Sequence, residues 1–230
     1  MKKLLLMAFA LLVSGTMLGQ GSKAKSDSKS FLAFHGGPSF PVGDFGSKDI
    51  NTNENAGLAK NGFTLNLGYG YNIKKNVGIA AGIFYNNYSV DKASMVIMFD
   101  GAGEAIDLQL DHWQFYGIAA GPMFTMHPNN NIAADLRIMA GISNANSPKV
   151  SFQGQEIVKG DWGTGATLLT GLDLRVGTTK NMFFFGAVDF TYLDPKFKYS
   201  YIDENNHWVT EDMHQKMSVI NITAGVGFNF

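Results

Sequence analysis

Five charged residues stand out in a charge-poor chain because of where they fall. Asp135 and Arg137 are two positions apart, Asp173 and Arg175 repeat that spacing, and Asp189 follows. Residues two apart on an extended segment share a face, so the three segments present acids and bases on one side each. Two chemistries suit such a group. One is a charged ring that selects ions along a pore. The other is a cross-linked, plugged interior, because charges removed from water persist only when paired. Three acids against two bases is close to balance, which favours the plug. Within it the spacing suggests a pair between Asp173 and Arg175.

Other chemistry-bearing residues group less well. Ser89 and His112 fall on the same face of adjacent strands when counted across the loop between them, and a hydroxyl beside an imidazole is the minimal activated nucleophile. An orienting acid is missing, since Asp111 has the wrong parity. His35, His112, His127, His207 and His214 show no paired ligand spacing for a metal. Asp203 and Glu204, with Glu211 and Asp212, form an acidic loop that reads as solvated rather than as a calcium site. Cysteine is absent, which excludes a disulfide scaffold, a thiolate metal site and a Cys nucleophile. No Gly-rich phosphate loop appears, so no cofactor is expected. A formal net charge of -1 gives no basic field for nucleic acid.

The elements that must position these residues are short strands. Of the 230 residues 16% are charged, against about 25% in average soluble domains, while glycine numbers 27 and aromatics make up 13%. Eight segments alternate apolar and small or polar side chains with period two, and no segment sustains a 3.6 period. They start at Phe31, Phe63, Val77, Phe115, Ile132, Ala166, Met182 and Ile220. Pro38 and Pro41 in the first imply a bulge or frayed edge at its upper end. Tight turns are expected at Lys74–Asn76, Pro128–Asn131 and Thr178–Asn181, each rich in turn formers. Long, polar connections occupy residues 43–61, 91–107, 144–160 and 194–213, with SFQGQEIV in the third as a small hairpin arm.

An even number of antiparallel strands, with short turns at one end and long loops at the other, is the pattern of an outer-membrane barrel. Apolar faces of about ten residues suit a tilted membrane strand. Closure lets an apolar exterior face lipid, because every backbone group then pairs. Tyr71, Phe124, Phe183 to Phe185 and Phe228 to Phe230 near the short turns, and Tyr85, Tyr88, Tyr116, Tyr192 and Tyr199 toward the loops, would form two interfacial girdles. Before the first strand, Lys2 and Lys3 precede the apolar run Leu4 to Val13 and a small-residue stretch. Residues 1–21 therefore read as a secretory signal peptide, 22–30 as a disordered leader and 31–230 as the barrel domain.

The last segment, INITAGVGFNF, resembles the C-terminal strand of bacterial outer-membrane β-barrel proteins. That resemblance implies an assembly signal at Phe228 and Phe230, read by the barrel-assembly machinery. With the GGPSFPVGDF stretch at Gly36 to Phe45 and the eight alternating segments, the chain resembles the small porin-like outer-membrane barrels of Bacteroidetes, related in architecture to the OmpA and OmpX barrels. Such barrels sit among outer-membrane lipid and lipopolysaccharide. Some act on lipid A, but the His-x-Ser spacing of the lipid A deacylases is absent, as Trp113 and Gln114 follow His112.

The expectation is an all-β, eight-stranded, antiparallel up-and-down transmembrane barrel in the bacterial outer membrane, both termini periplasmic. It is not expected to be an enzyme. Its role is structural or one of interaction through the long loops, with Asp135, Arg137, Asp173, Arg175 and Asp189 closing the lumen. The alternatives are a narrow channel for ions or small solutes, a lipid A-modifying enzyme, and a soluble barrel with an apolar interior.

Overall fold

The computed structural model describes residues 29–49, 52–53, 55–99, 108–129, 131–177, 181–203 and 207–230. The signal peptide, the leader through residue 28, Asn130, Thr178 to Lys180 and Glu204 to Asn206 lie outside the described residues.

Among the described residues, period-two alternation becomes thirteen strands in one antiparallel sheet. Eight form the barrel wall: β1 (Ser30–Val42), β2 (Ala59–Lys74), β3 (Val77–Val90), β5 (Trp113–Asn129), β6 (Ile132–Asn146), β9 (Trp162–Gly177), β10 (Met182–Leu193) and β13 (Met217–Asn229). Each pairs with its neighbour around the ring, and β1 with β13 closes it. Closure leaves the wall no open edge, the condition for a sheet in hydrocarbon. Backbone N–H and C=O groups of Ser30 and Phe230 bond each other at the short-turn end.

Apolar residues of one parity point outward. Phe34, Ile83 and Ile118 are each 56% exposed and Leu172 is 64% exposed, an arrangement that suits lipid. The other parity fills the lumen. This is the reverse of a soluble barrel with an apolar interior and polar exterior.

Several boundaries differ from the sequence reading. β1 passes through Pro38 and Pro41 without a register shift. Pro38 belongs to the outward parity and Pro41 to the inward one, and the ladder to β13 omits only Gly37 and Pro38. β2 begins at Ala59, inside the expected first loop, and β5 runs past Pro128 to Asn129 through a register shift. The seventh segment, whose alternation reads from Met182 to about Tyr199, stops at Leu193, because Asp194 and Pro195 turn the chain into β11 (Lys196–Ile202).

The remaining strands build an arm beyond the loop end: β4 (Leu108–Leu110), β7 (Val150–Phe152), β8 (Gln155–Lys159), β11 and β12 (Trp208–His214). β7 and β8 are the hairpin expected from SFQGQEIV. β11 and β12 replace the expected fourth polar loop, pairing from Lys196–His214 to Ile202–Trp208. A short helix, α1 (Lys92–Phe99), occupies the second loop. Asp91 caps it through the Ser94 N–H, and eight residues are too few for a sustained periodic signal. Leu108, Val150 and Val158, with Tyr199 and Tyr201, form a small apolar core inside the arm.

Candidate functional site

The site is the lumen, and its charges come from three consecutive wall strands. Asp135 lies directly across from Asp173 on the β6–β9 ladder, Ala133 faces Arg175, and Arg137 faces Gly171. Next door Asp189 also faces Gly171 and Asp173 faces Ala187. Like charges directly opposite repel. Asp135 and Asp173 instead turn along a diagonal to an arginine, and Asp189 reaches Arg137 straight across Gly171.

Arg175 grips Asp135 with two bonds, Nε to Oδ2 at 2.6 Å and Nη2 to Oδ1 at 2.9 Å. Thr125 Oγ1 donates a third to Asp135 Oδ1 at 2.6 Å. Arg137 is shared: its Nη2 donates to Asp173 Oδ1 at 2.7 Å and to Asp189 Oδ1 at 2.8 Å, and its Nε sits 2.5 Å from Asp173 Oδ2. All five residues are buried. The expected Asp173–Arg175 pair is therefore corrected. Strand neighbours two apart stand side by side, whereas long side chains on the ladder diagonal can meet head-on.

Gly171 makes the shared arrangement possible, and sequence reasoning does not single it out. A Cβ there would fall on the Asp189 carboxylate and 3.3 Å from Arg137 Nη2. Gly171→Ala is expected to destabilise the folded protein by about 1–3 kcal/mol, the range for overpacking. The test is a lower urea midpoint in detergent, with Gly177→Ala as control, because a Cβ at Gly177 meets nothing nearer than 3.5 Å.

Layers of other side chains lie above and below the charges. Toward the short turns, Phe31 packs on Gly70 and Phe183 on Gly227. Their rings meet edge to face at 5.7 Å, and the Arg175 guanidinium lies 4.1 Å from the Phe31 centroid, a cation–π contact. His35 is buried, with Nδ1 2.8 Å from Thr223 Oγ1 and its ring against Phe185. Toward the loops, Ser39 hydrogen-bonds Asn221 and Tyr88, and Tyr88 donates to Asn86 Oδ1 at 3.1 Å.

Phe183, Phe185 and Tyr88, expected in the girdles, are lumen residues instead. Phe183 and Phe185 share the parity of Asp189, so the alternation that turns the charge inward turns these rings inward too. Phe184, Phe228, Phe230, Tyr71, Phe124 and Tyr116 do face outward.

At the loop end of the barrel, described residues of the first loop fold inward. A 3-10 turn at Gly43–Gly46 drops Phe45, fully buried, between Tyr88 at 5.3 Å and Trp113 at 5.7 Å. Trp113 Nε1 donates to Gly57 O at 2.9 Å and Gln215 Nε2 to Asn55 O at 3.0 Å, holding the returning chain. Lys48 Nζ reaches Asp91 Oδ2 at 2.5 Å.

That last contact carries a pH dependence. The Lys48 hydrogen bond, opposed by burial and aided by the charges of Lys48 and Lys60 and the Ser94 N–H, holds the Asp91 carboxyl below its ordinary 3.8. A lowered folded-state pKa adds stability that is complete above the ordinary value and vanishes as pH falls through the lowered one. Loop one should loosen below about pH 4. Amide protection factors of the described residues between 44 and 58 should fall there in the wild type, and Asp91→Asn should show that lower protection already at neutral pH.

Ser89 and His112 share no hydrogen bond among the described residues, and His112 Nδ1 lies 2.9 Å from Asn87 Oδ1. Among the described residues the acids of the fourth loop do not converge either, and Glu204 lies outside them. Glu211 accepts from Tyr201 Oη at 3.3 Å, Asp203 accepts from the His207 N–H, and Asp212 points to the opposite face from Glu211.

No protein-family model matches the chain, and no curated protein matches it in sequence. Its fold is similar to that of a major outer membrane protein from Thermus thermophilus, with 9% identity, 87% of this chain and 98% of that one covered, and a TM-score of 0.56. Also similar are Ail, the attachment invasion locus protein of Yersinia pestis (17% identity, 88% and 99% covered, TM-score 0.46), and Neisserial surface protein A (15% identity, 87% and 97% covered, TM-score 0.46). The closed, eight-stranded antiparallel barrel is thus a fold of bacterial outer-membrane proteins.

Proposed function

We propose that this protein is an outer-membrane barrel with a sealed lumen, working through its exterior and its loop-side arm rather than by conduction or catalysis. The observation that carries the reading is the central lumen, where Asp135, Arg137, Asp173, Arg175 and Asp189 are all buried and bonded to one another across three strands. Eight strands leave an interior just wide enough for side chains, and here phenylalanines, paired charges and Phe45 occupy successive levels of it.

On this reading the short-turn end faces the periplasm, Phe228 and Phe230 present the assembly signal to the barrel-assembly machinery, and lipopolysaccharide surrounds the outer rim. The arm is then the surface offered to an extracellular partner. The porin-like alternative of Bacteroidetes barrels requires a path that the charge layer obstructs. Proteoliposome swelling tests this: vesicles carrying the folded chain should swell in a small-sugar gradient no faster than empty ones. Swelling at the rate of a porin control would overturn the reading.

A further inference from the structure

The arm has one face continuous with the lipid-facing wall. Lys196 on β11 is in register with Thr164 on β9, which belongs to the outward parity of that strand. Lys198 follows on the same face beside Trp162, its backbone N–H held by the Asp161 carboxylate at 2.8 Å. Ser200 is in register with Lys159 on β8, so Lys159 joins the face. Its ammonium sits 4.0 Å from the Trp208 ring centroid.

Trp162 packs on Tyr116 at 5.5 Å and both rings are exposed. They mark the outer aromatic girdle, the level at which amphipathic rings meet lipid headgroups. The three lysines therefore stand at and just above headgroup level, on the side that faces lipid. All three are exposed, and among the described residues none makes an ion pair within 4 Å. Three acids share the neighbourhood: Asp161 is held on the Lys198 backbone N–H, Asp212 lies across the ladder from Lys198, and Asp194 is turned to His214 at 3.7 Å.

We infer that Lys159, Lys196 and Lys198 form a docking surface for the phosphates of a phosphorylated glycolipid in the outer leaflet, with Trp162 and Trp208 flanking its sugars. This rests on the outer-membrane reading above and assigns the lipid contact to named residues. Clustered ammonium groups at an anionic lipid surface each strengthen binding, and three together give about a hundredfold.

The test uses the full barrel chain folded in zwitterionic detergent micelles, with binding read by native mass spectrometry. The probes are bisphosphorylated lipid A and the same lipid with its phosphates removed. The expected result is at least tenfold tighter retention of the phosphorylated form. K159Q/K196Q/K198Q should abolish that preference, while K74Q/K75Q at the short-turn end should keep it. Each variant must first display the heat-modifiable gel shift of a closed barrel, which separates loss of binding from loss of folding. Equal preference in the triple variant, or displacement of the lipid by equimolar inorganic phosphate, would overturn the assignment. A wild-type chain with no heat-modifiable folded form would instead overturn the barrel reading.

Discussion

Arg137→Met should cost the folded barrel about 3–5 kcal/mol, the range for breaking a buried ion pair by removing one partner. Arg137 serves two acids, so the effect belongs at the top of that range. Both Asp173 and Asp189 would be left buried without their shared donor. Arg175→Gln should cost less, because Arg175 serves only Asp135, which keeps its bond from Thr125. Urea unfolding in detergent or lipid vesicles measures the order. Adding Asp173→Leu and Asp189→Leu to Arg137→Met should recover most of the loss, since an apolar trio of similar volume needs no desolvation of charge. A larger loss for Arg175→Gln than for Arg137→Met would refute the shared-arginine geometry.

The second large effect is expected at the mouth. Phe45→Ala removes a fully buried ring packed on Tyr88 and Trp113, a change that costs about 3–5 kcal/mol in well-packed cores. It should also open the mouth to solvent. With Trp162 and Trp208 replaced by Phe, Trp113 becomes the sole indole in the chain. Its emission should move to the red and become quenchable by iodide in Phe45→Ala, while the parent remains protected. Protected emission in both would mean that Phe45 does not stopper the barrel.

Why these features are unequally legible in the sequence follows from the period of a strand. Parity assigns a face to every residue of a regular strand, so the eight wall segments and the inward position of Asp135, Arg137, Asp173, Arg175 and Asp189 can be read without coordinates. Parity does not fix register between strands. The partner of Arg175 depends on Ala133 standing opposite it, and the sharing of Arg137 depends on Gly171 lying between two ladders. Neither is visible in one dimension.

The inward turn of Phe183 and Phe185 is legible by the same parity, and position near a strand end is the weaker guide to their face. The arm is harder to read. β11 and β12 carry Lys, Glu, Asp and Ser among their aromatics, so their alternation resembles a polar loop, and only their pairing with each other, and of β11 with β8 and β9, makes them sheet. The loop-one stopper gives no periodic signal. Phe45 is a single aromatic in a polar connection until the 3-10 turn aims it inward.

The most direct test of a sealed lumen is single-channel conductance of the refolded chain in a planar bilayer, with heat-modifiable gel mobility confirming that it is folded. The account predicts a silent, inserted protein. Steady conductance steps, with an ion selectivity that changes in Asp135→Asn or Asp173→Asn, would contradict it and make the same charges the lining of a pore.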